Sequence, residues 1–213
     1  MKYKYILIGD SGHGKVIEDC IRANGHQVIA KLDDKYPSLF KEGSYTKGPI
    51  AAIETILDEE TKVIISIGNN EIRKKIVERL QLTLECYGTV VHPSAIVSPS
   101  STIANGTVVM PNVVINADSV VGKHVILNTS CIIEHDCIIQ DFVHISPSTV
   151  ITGGVSVHEG TQIGARSSVN PSLQIGKWTI VGAGSTVIND IPDLVTAVGV
   201  PTKIIKERRI LGE

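Results

Sequence analysis

The stretch VILNTSCIIEHDCIIQDFVHI, residues 125–145, places Leu127, Ile133, Ile139 and Ile145 six residues apart, with Val125, Cys131, Cys137 and Val143 two places before each. Residues two apart on a strand share a face, so each hexad supplies one short strand with a large and a small side chain pointing the same way. Outward in both directions the aliphatic series runs without a slip from Val91 to Val187, seventeen positions. Its companion series, from Thr89 to Ser185, is almost entirely small or β-branched. Turn residues fall between them: Asn116-Ala117, Gly122-Lys123, Gly153-Gly154, Gly164, Gly176 and Gly182. A fixed short period sustained over this length marks a stacked repeat, and three six-residue sides per coil close a triangular prism, a parallel β-helix. The same register sends Cys131 and Cys137 into the prism and His135 and His144 out of it.

Composition agrees with a narrow aliphatic interior. Only 4% of residues are aromatic, against 42% hydrophobic in total. A formal net charge of −2 and one short cationic run, Lys203 to Arg209, broken by Glu207, argue against nucleic acid as a partner. No segment reaches the length of a membrane span, and Tyr5 to Ile8 is too short for the apolar region of a secretory signal. The four cysteines have neither CxxC spacing nor disulfide density, so the expected setting is the reducing cytoplasm.

The first ninety residues follow a different rule. Tyr5-Ile-Leu-Ile8, the glycine turn Gly9-Asp-Ser-Gly-His-Gly14, and Val16, Ile17, Cys20 and Ile21 at helical spacing predict strand, turn and helix. Further strands are expected over Gln27 to Leu32 and Val63 to Ile67, a helix over Glu71 to Leu82, and a loop from Lys35 to Gly48. Alternating strands and helices imply a small parallel sheet whose ligands lie at the strand C-terminal ends. We therefore expect a mixed fold: a Rossmann-like α/β domain over residues 1–88 and a β-helix over 89–213, its last coil capped by a tail, from Pro192 onward, with a charged helical end.

The hexads, together with Val198-Gly-Val-Pro-Thr-Lys203, resemble the hexapeptide-repeat acyltransferases. The glycine turn, Leu32-Asp-Asp34, Ile67-Gly-Asn-Asn-Glu-Ile-Arg-Lys-Lys75 and Ile133-Glu-His-Asp-Cys137 resemble, more narrowly, the bacterial nucleotide-sugar N-acetyltransferases of the PglD/NeuD type. The resemblance implies a left-handed coil, opposite to the usual crossover hand. It also implies a homotrimer with acetyl-CoA between neighbouring prisms, and a UDP-linked 4-amino-4,6-dideoxy sugar held by the N-terminal domain. His135 would then be the general base, with Asp136 or Glu134 orienting its ring. Ser11, Gly12, His13, Asp33, Asp34, Gly68 and Asn69 would bind the nucleotide sugar. His144, Gly164, Ala165, Gly182, Ala183 and Lys203 would contact acetyl-CoA.

Each of these residues also has a plainer reading. His135 at a corner and His144 on a flat face are equally placed as solvated surface residues, and His92, His124 and His158 read as surface. Glycines at repeat corners satisfy turn geometry without any ligand. The strict dinucleotide pattern would have glycine where Ser11 stands, so the turn alone is a weak signal. Cys131 and Cys137 flank the expected base, but their inward register makes them buried core rather than acyl carriers. Gaps of eleven, nine and fourteen residues between His124, His135, His144 and His158 do not suit a zinc site, and no metal is expected. Acyl transfer to an amine needs a base near neutrality and donors for an oxyanion, which a ternary complex with His135 supplies. O-acetylation of a sialic-acid-type sugar, or a non-catalytic scaffold that binds a nucleotide sugar, would use the same architecture.

Overall fold

The computed structural model describes residues 3–209; Met1, Lys2 and residues 210–213, the outermost ends of the two expected domains and of the charged tail, lie outside the described residues. The chain opens with β1 (Lys4–Ile8), α1 (Gly12–Ala23), β2 (Gln27–Leu32), β3 (Phe40–Glu42), β4 (Tyr45–Gly48), β5 (Thr61–Ile65) and α2 (Asn70–Leu80). These form one sheet in the order β3-β4-β2-β1-β5, parallel except for the β3/β4 hairpin. The hairpin replaces the loop expected over 35–48. Its strands are short and mostly polar, and what makes them strands is pairing of β4 with β2, a tertiary contact that hydropathy does not register. β5 lies two residues earlier than expected. α2 starts at Asn70 because the Asn69 side chain accepts the Ile72 N–H at 3.0 Å, an N-cap, and it stops where Gln81 turns left-handed.

From Val90–Val91 to Thr186–Val187 seventeen two-residue strands follow at intervals of six. As far as Ser168–Val169 each pairs in parallel with the strand eighteen residues on, as Val114 with Ile132 and Ile133 with Ile151, so that three sheets close a prism. The aliphatic ladder fills it. All of its members from Val109 to Val187 are buried, whereas Val91, Val97 and Ile103 in the first coil are only partly covered. The chain turns each corner in the left-handed region, at Asn112, Asp118, His124, Ser130, Asp136, Phe142 and Ser148, and again at Arg166, Ser172 and Trp178. That conformation costs a side chain-bearing residue roughly 1–2 kcal/mol. Hydroxyls of the small inward series offset part of the cost: Ser119 Oγ donates to Glu134 O at 2.7 Å and accepts the Cys137 N–H, and Thr107 does the same with Gly122 O and Val125 N.

The tail is strand rather than helix. Val195–Val198 pairs with Ile180–Val181, and Lys203–Glu207 returns antiparallel beside it, covering the edge of the eight-stranded sheet. Paired β-branched Ile204 beside Ile205 decides against a helix there. No helix of the described residues is long and apolar enough to cross a membrane.

The α/β domain packs on one face of the prism, the eight-stranded sheet. The outward column of that sheet, Val90, Val108, Ile126 and His144, is buried beneath it, while Ile96, Val120 and Ile138 on the other two faces are 66%, 48% and 46% exposed. His124, expected at the surface, is buried at the same junction, stacked on Phe142 at 5.2 Å and edge-on to Tyr87. The period of six places a side chain outside the prism; it does not say what then covers it.

Candidate active site

His135 and Asp136 occupy the corner that joins Ile132–Ile133 of the six-stranded sheet to Ile138–Ile139 of the five-stranded sheet, the prism edge away from the α/β domain. The His135 Nδ1 lies 2.7 Å from Asp136 Oδ2. A carboxylate only accepts, so Nδ1 carries the proton and Nε2 of the neutral ring is left with its lone pair. That bond holds the imidazole above the usual histidine range. Asp136 sits at φ 58, a left-handed corner that aspartate tolerates better than most residues. Glu134 points elsewhere: its carboxylate accepts from Asn116 Nδ2 at 2.9 Å. Of the two acids beside His135, only Asp136 touches the ring. Below it lies Gly153, where a Cβ would come within 2.6 Å of Cε1 and Nε2. The His135 side chain is 63% exposed.

A second group gathers where the α/β domain meets the prism. The His144 Nδ1 faces Gly68 O at 3.3 Å and its Nε2 faces Asn128 Nδ2 at 3.1 Å, while the His13 ring lies 6.2 Å from it. The carbonyl fixes the tautomer: Nδ1–H donates to Gly68, and Nε2 accepts from Asn128. Burial, then the charge of Arg73, pushes His13 and His124 down to about 4; the same causes and His13 push His144 to about 3. His144 is therefore a covered, neutral residue of the interdomain cleft, against the exposed face position that its register suggests. The buried His13 Nε2 has no hydrogen-bond partner and faces this cleft from the start of α1.

The remaining expected residues divide. Ser11 and Gly12 are exposed at the N-terminus of α1, where Ser11 makes no side-chain cap. Asp33 accepts the N–H groups of Asp10 and Lys35. The Asp34 carboxylate accepts from the Ile50 N–H and pairs with Arg79 at 2.7 Å, so it clasps the loop to α2 instead of standing free for a nucleotide. Asn69 is spent on capping α2 through its side-chain oxygen. Gly164-Ala165 and Gly182-Ala183 stack on one edge of the prism, eighteen residues apart, in the column that begins at Asn128. There a Cβ on Gly164 would meet Ala183 N at 2.4 Å, so coil stacking by itself requires glycine. Lys203 begins the exposed terminal strand.

A family described as the PglD N-terminal domain matches residues 4–80. Perosamine N-acetyltransferase from Caulobacter crescentus, solved as a histidine variant with CoA and GDP-perosamine, superposes at a TM-score of 0.88 with 36% identity, covering 96% of this chain and 97% of that one. This chain belongs to the PglD-type nucleotide-sugar N-acetyltransferases. The acetyltransferase domain of PglB from Neisseria gonorrhoeae FA1090, in complex with acetyl coenzyme A, superposes at 0.87 with 33% identity over 96% and 100%. UDP-N-acetylbacillosamine N-acetyltransferase of Bacillus subtilis (strain 168) is 45% identical over 100 residues, 46% of this chain and 46% of that protein, so the match takes in about half of that relative's length. The fold is the hexapeptide-repeat left-handed β-helix of this family with its α/β domain in front.

In a PglD-type chain the two buried thiols beside His135 need an account. Burial raises both Cys131 and Cys137, and Cys137 Sγ donates to Thr152 O at 3.2 Å, the place in the corner ladder that Ser119 and Thr107 fill with hydroxyls. Neither is a nucleophile at neutral pH. Among the described residues no group of three or more His, Cys, Asp or Glu is placed to hold a metal ion. Sequence reasoning passed over Asn128 and Arg73. Asn128 sits one place after inward Leu127 in an ordinary turn, and it is the eighteen-residue coil that brings its Nδ2 beside His144. Arg73 was quoted only as part of a motif.

Proposed function

We propose that this protein transfers the acetyl group of acetyl-CoA to the 4-amine of a UDP-linked 4-amino-4,6-dideoxy sugar, working in the cytoplasm as a homotrimer with its sites between subunits. The observation that carries the reading is the separation of the two halves of the site. His135 stands on the edge opposite the α/β domain, flanked by the outward aliphatics Val120 and Ile138, while His13 and Gly68, of the expected nucleotide-sugar residues, face His144 where the α/β domain meets the prism. A second copy packed on the uncovered faces brings the His135 of one protomer to the cleft of the next, and it also covers exposed apolar surface.

In the mechanism, His135 Nε2 takes a proton from the amine as its nitrogen attacks the thioester carbonyl. The C–S bond breaks and the CoA thiolate leaves with a proton. Asp136 holds the ring and stabilises the imidazolium, and backbone N–H groups meet the oxyanion. His13, Gly68 and Ser11 line the acceptor side. His144 stands beside the acetyl thioester, the corner column from Asn128 through Gly164-Ala165 to Gly182-Ala183 takes the pantetheine arm, and Lys203 takes a CoA phosphate.

Relatives act on both UDP- and GDP-linked sugars, so the screen that tests the reading offers both. Acetyl-CoA is incubated with a panel of UDP-, GDP- and CMP-linked sugars and product mass is read. A gain of one acetyl on a UDP 4-amino sugar is expected. Transfer only to a hydroxyl of a CMP-sugar, or none, contradicts it.

A further inference from the structure

Arg73, in the first turn of α2, is 1% exposed and lies at the junction of both domains with the prism edge. Its guanidinium reaches in two directions. Nη1 donates to Ile67 O at 2.9 Å and Gly68 O at 3.3 Å in the loop between β5 and α2; Nε donates to His124 O at 2.9 Å and Nη2 to Phe142 O at 2.7 Å and Val143 O at 3.5 Å on the prism. Asn70 Oδ1 accepts from Nη2 at 2.7 Å. Each of these hydrogen bonds ends on a neutral oxygen. A buried cation without a carboxylate in that set is costly, and burial lowers it to about 9. Such a residue is unfavourable as mere filling, since a well-packed aliphatic side chain would suit a buried junction better.

What the fork fixes is the carbonyl of Gly68, and that same carbonyl receives the Nδ1–H of His144. We propose that Arg73 is a positioning residue of the acceptor cleft: by tying Ile67 and Gly68 to the prism corners at His124 and Phe142, it sets the hydrogen bond from Gly68 to His144 and so the orientation and tautomer of that ring. The groups facing the junction are His13 from α1, His124 and His144 from the prism, and Asn70 beside Arg73 itself. The three histidines are buried rings next to a buried cation, which keeps them neutral. Lysine cannot reproduce the role, because one ammonium has three donors and no planar fork to span loop and prism. The role in turnover rests on the reading that this cleft takes the amino sugar; the role in holding His144 does not.

Two measurements separate these. Nitrogen-15 NMR of the imidazoles in the wild-type protein should show His144 as the Nδ1–H tautomer, neutral throughout pH 5–8; an Nε2–H tautomer or a titration near 6.5 overturns the proposal without any substrate. Arg73→Lys should lose that single tautomer and lower kcat/KM on the order of 10–100-fold. In the His144→Asn background the same substitution should add little, because both changes break one path. Additive losses, or an unmoved His144 signal in Arg73→Lys, overturn it. Absence of wild-type transfer to any nucleotide amino sugar would count against the functional reading alone.

Discussion

His135 and the histidines of the interdomain cleft are the same side chain under opposite conditions. His135 is exposed, with a carboxylate 2.7 Å from Nδ1, and is held above its ordinary range; His13, His124 and His144 lie in a buried junction beside Arg73 and are held far below it. The first is suited to take up a proton near neutrality, and the others are suited to stay uncharged while offering fixed hydrogen bonds. Pointing out of the prism does not distinguish them, since His124, His135 and His144 all do so. Their neighbours do.

The largest test of this contrast removes the base. His135→Ala should lower kcat on the order of 10²–10⁴-fold with the sedimentation of the unaltered protein preserved, and normal turnover in a folded protein of unchanged sedimentation would dispose of the proposed assignment. A smaller loss should follow from crowding the same ring. Gly153 has an ordinary backbone conformation, so Gly153→Ala pushes against His135 without strain of its own. Turnover should fall roughly tenfold or more with little change in melting temperature. The Asp136→Asn variant sharpens the comparison through pH. Asp136 raises His135, and the base must be neutral to act, so the acid limb of kcat/KM in the wild type lies above pH 6.5. The asparagine variant should move that limb to lower pH and reduce the plateau. A limb that stays in place would assign it to another group; the cleft histidines, at about 3 to 4, do not titrate in that window. Least of all should Cys137→Ser matter. A hydroxyl there can donate to Thr152 O as the thiol does, and turnover should stay within about twofold, whereas an acyl-cysteine route would lose most of its rate.

Most of the fold was legible because the prism is a one-dimensional repeat in which register alone decides inside and outside. Ladder, companion series and inward thiols all follow from counting by six. The hairpin over 40–48 was not legible, because polar strands at a sheet edge take their identity from a neighbour. The terminal strand Lys203–Glu207 hid for the same reason. In the site, His135 and Asp136 could be read from the motif, but the choice of Asp136 over Glu134 required Asn116, one coil away, to occupy the glutamate. The register sends His144 out of the prism, as the structure has it, and leaves open what covers it. Its cover is a domain seventy residues away in sequence, and Arg73 acquires meaning only through that contact.

The central claim is that each active site combines the His135 edge of one protomer with the cleft of another. Mixed trimers test it directly. Two variants, His135→Ala with an intact cleft and His13→Ala with an intact His135, are each purified with little activity, then unfolded and refolded together. The account predicts that the mixture regains acetyl transfer well above either parent, because some neighbouring pairs now join a good edge to a good cleft. Mixed trimers that form and remain as inactive as their parents would contradict it.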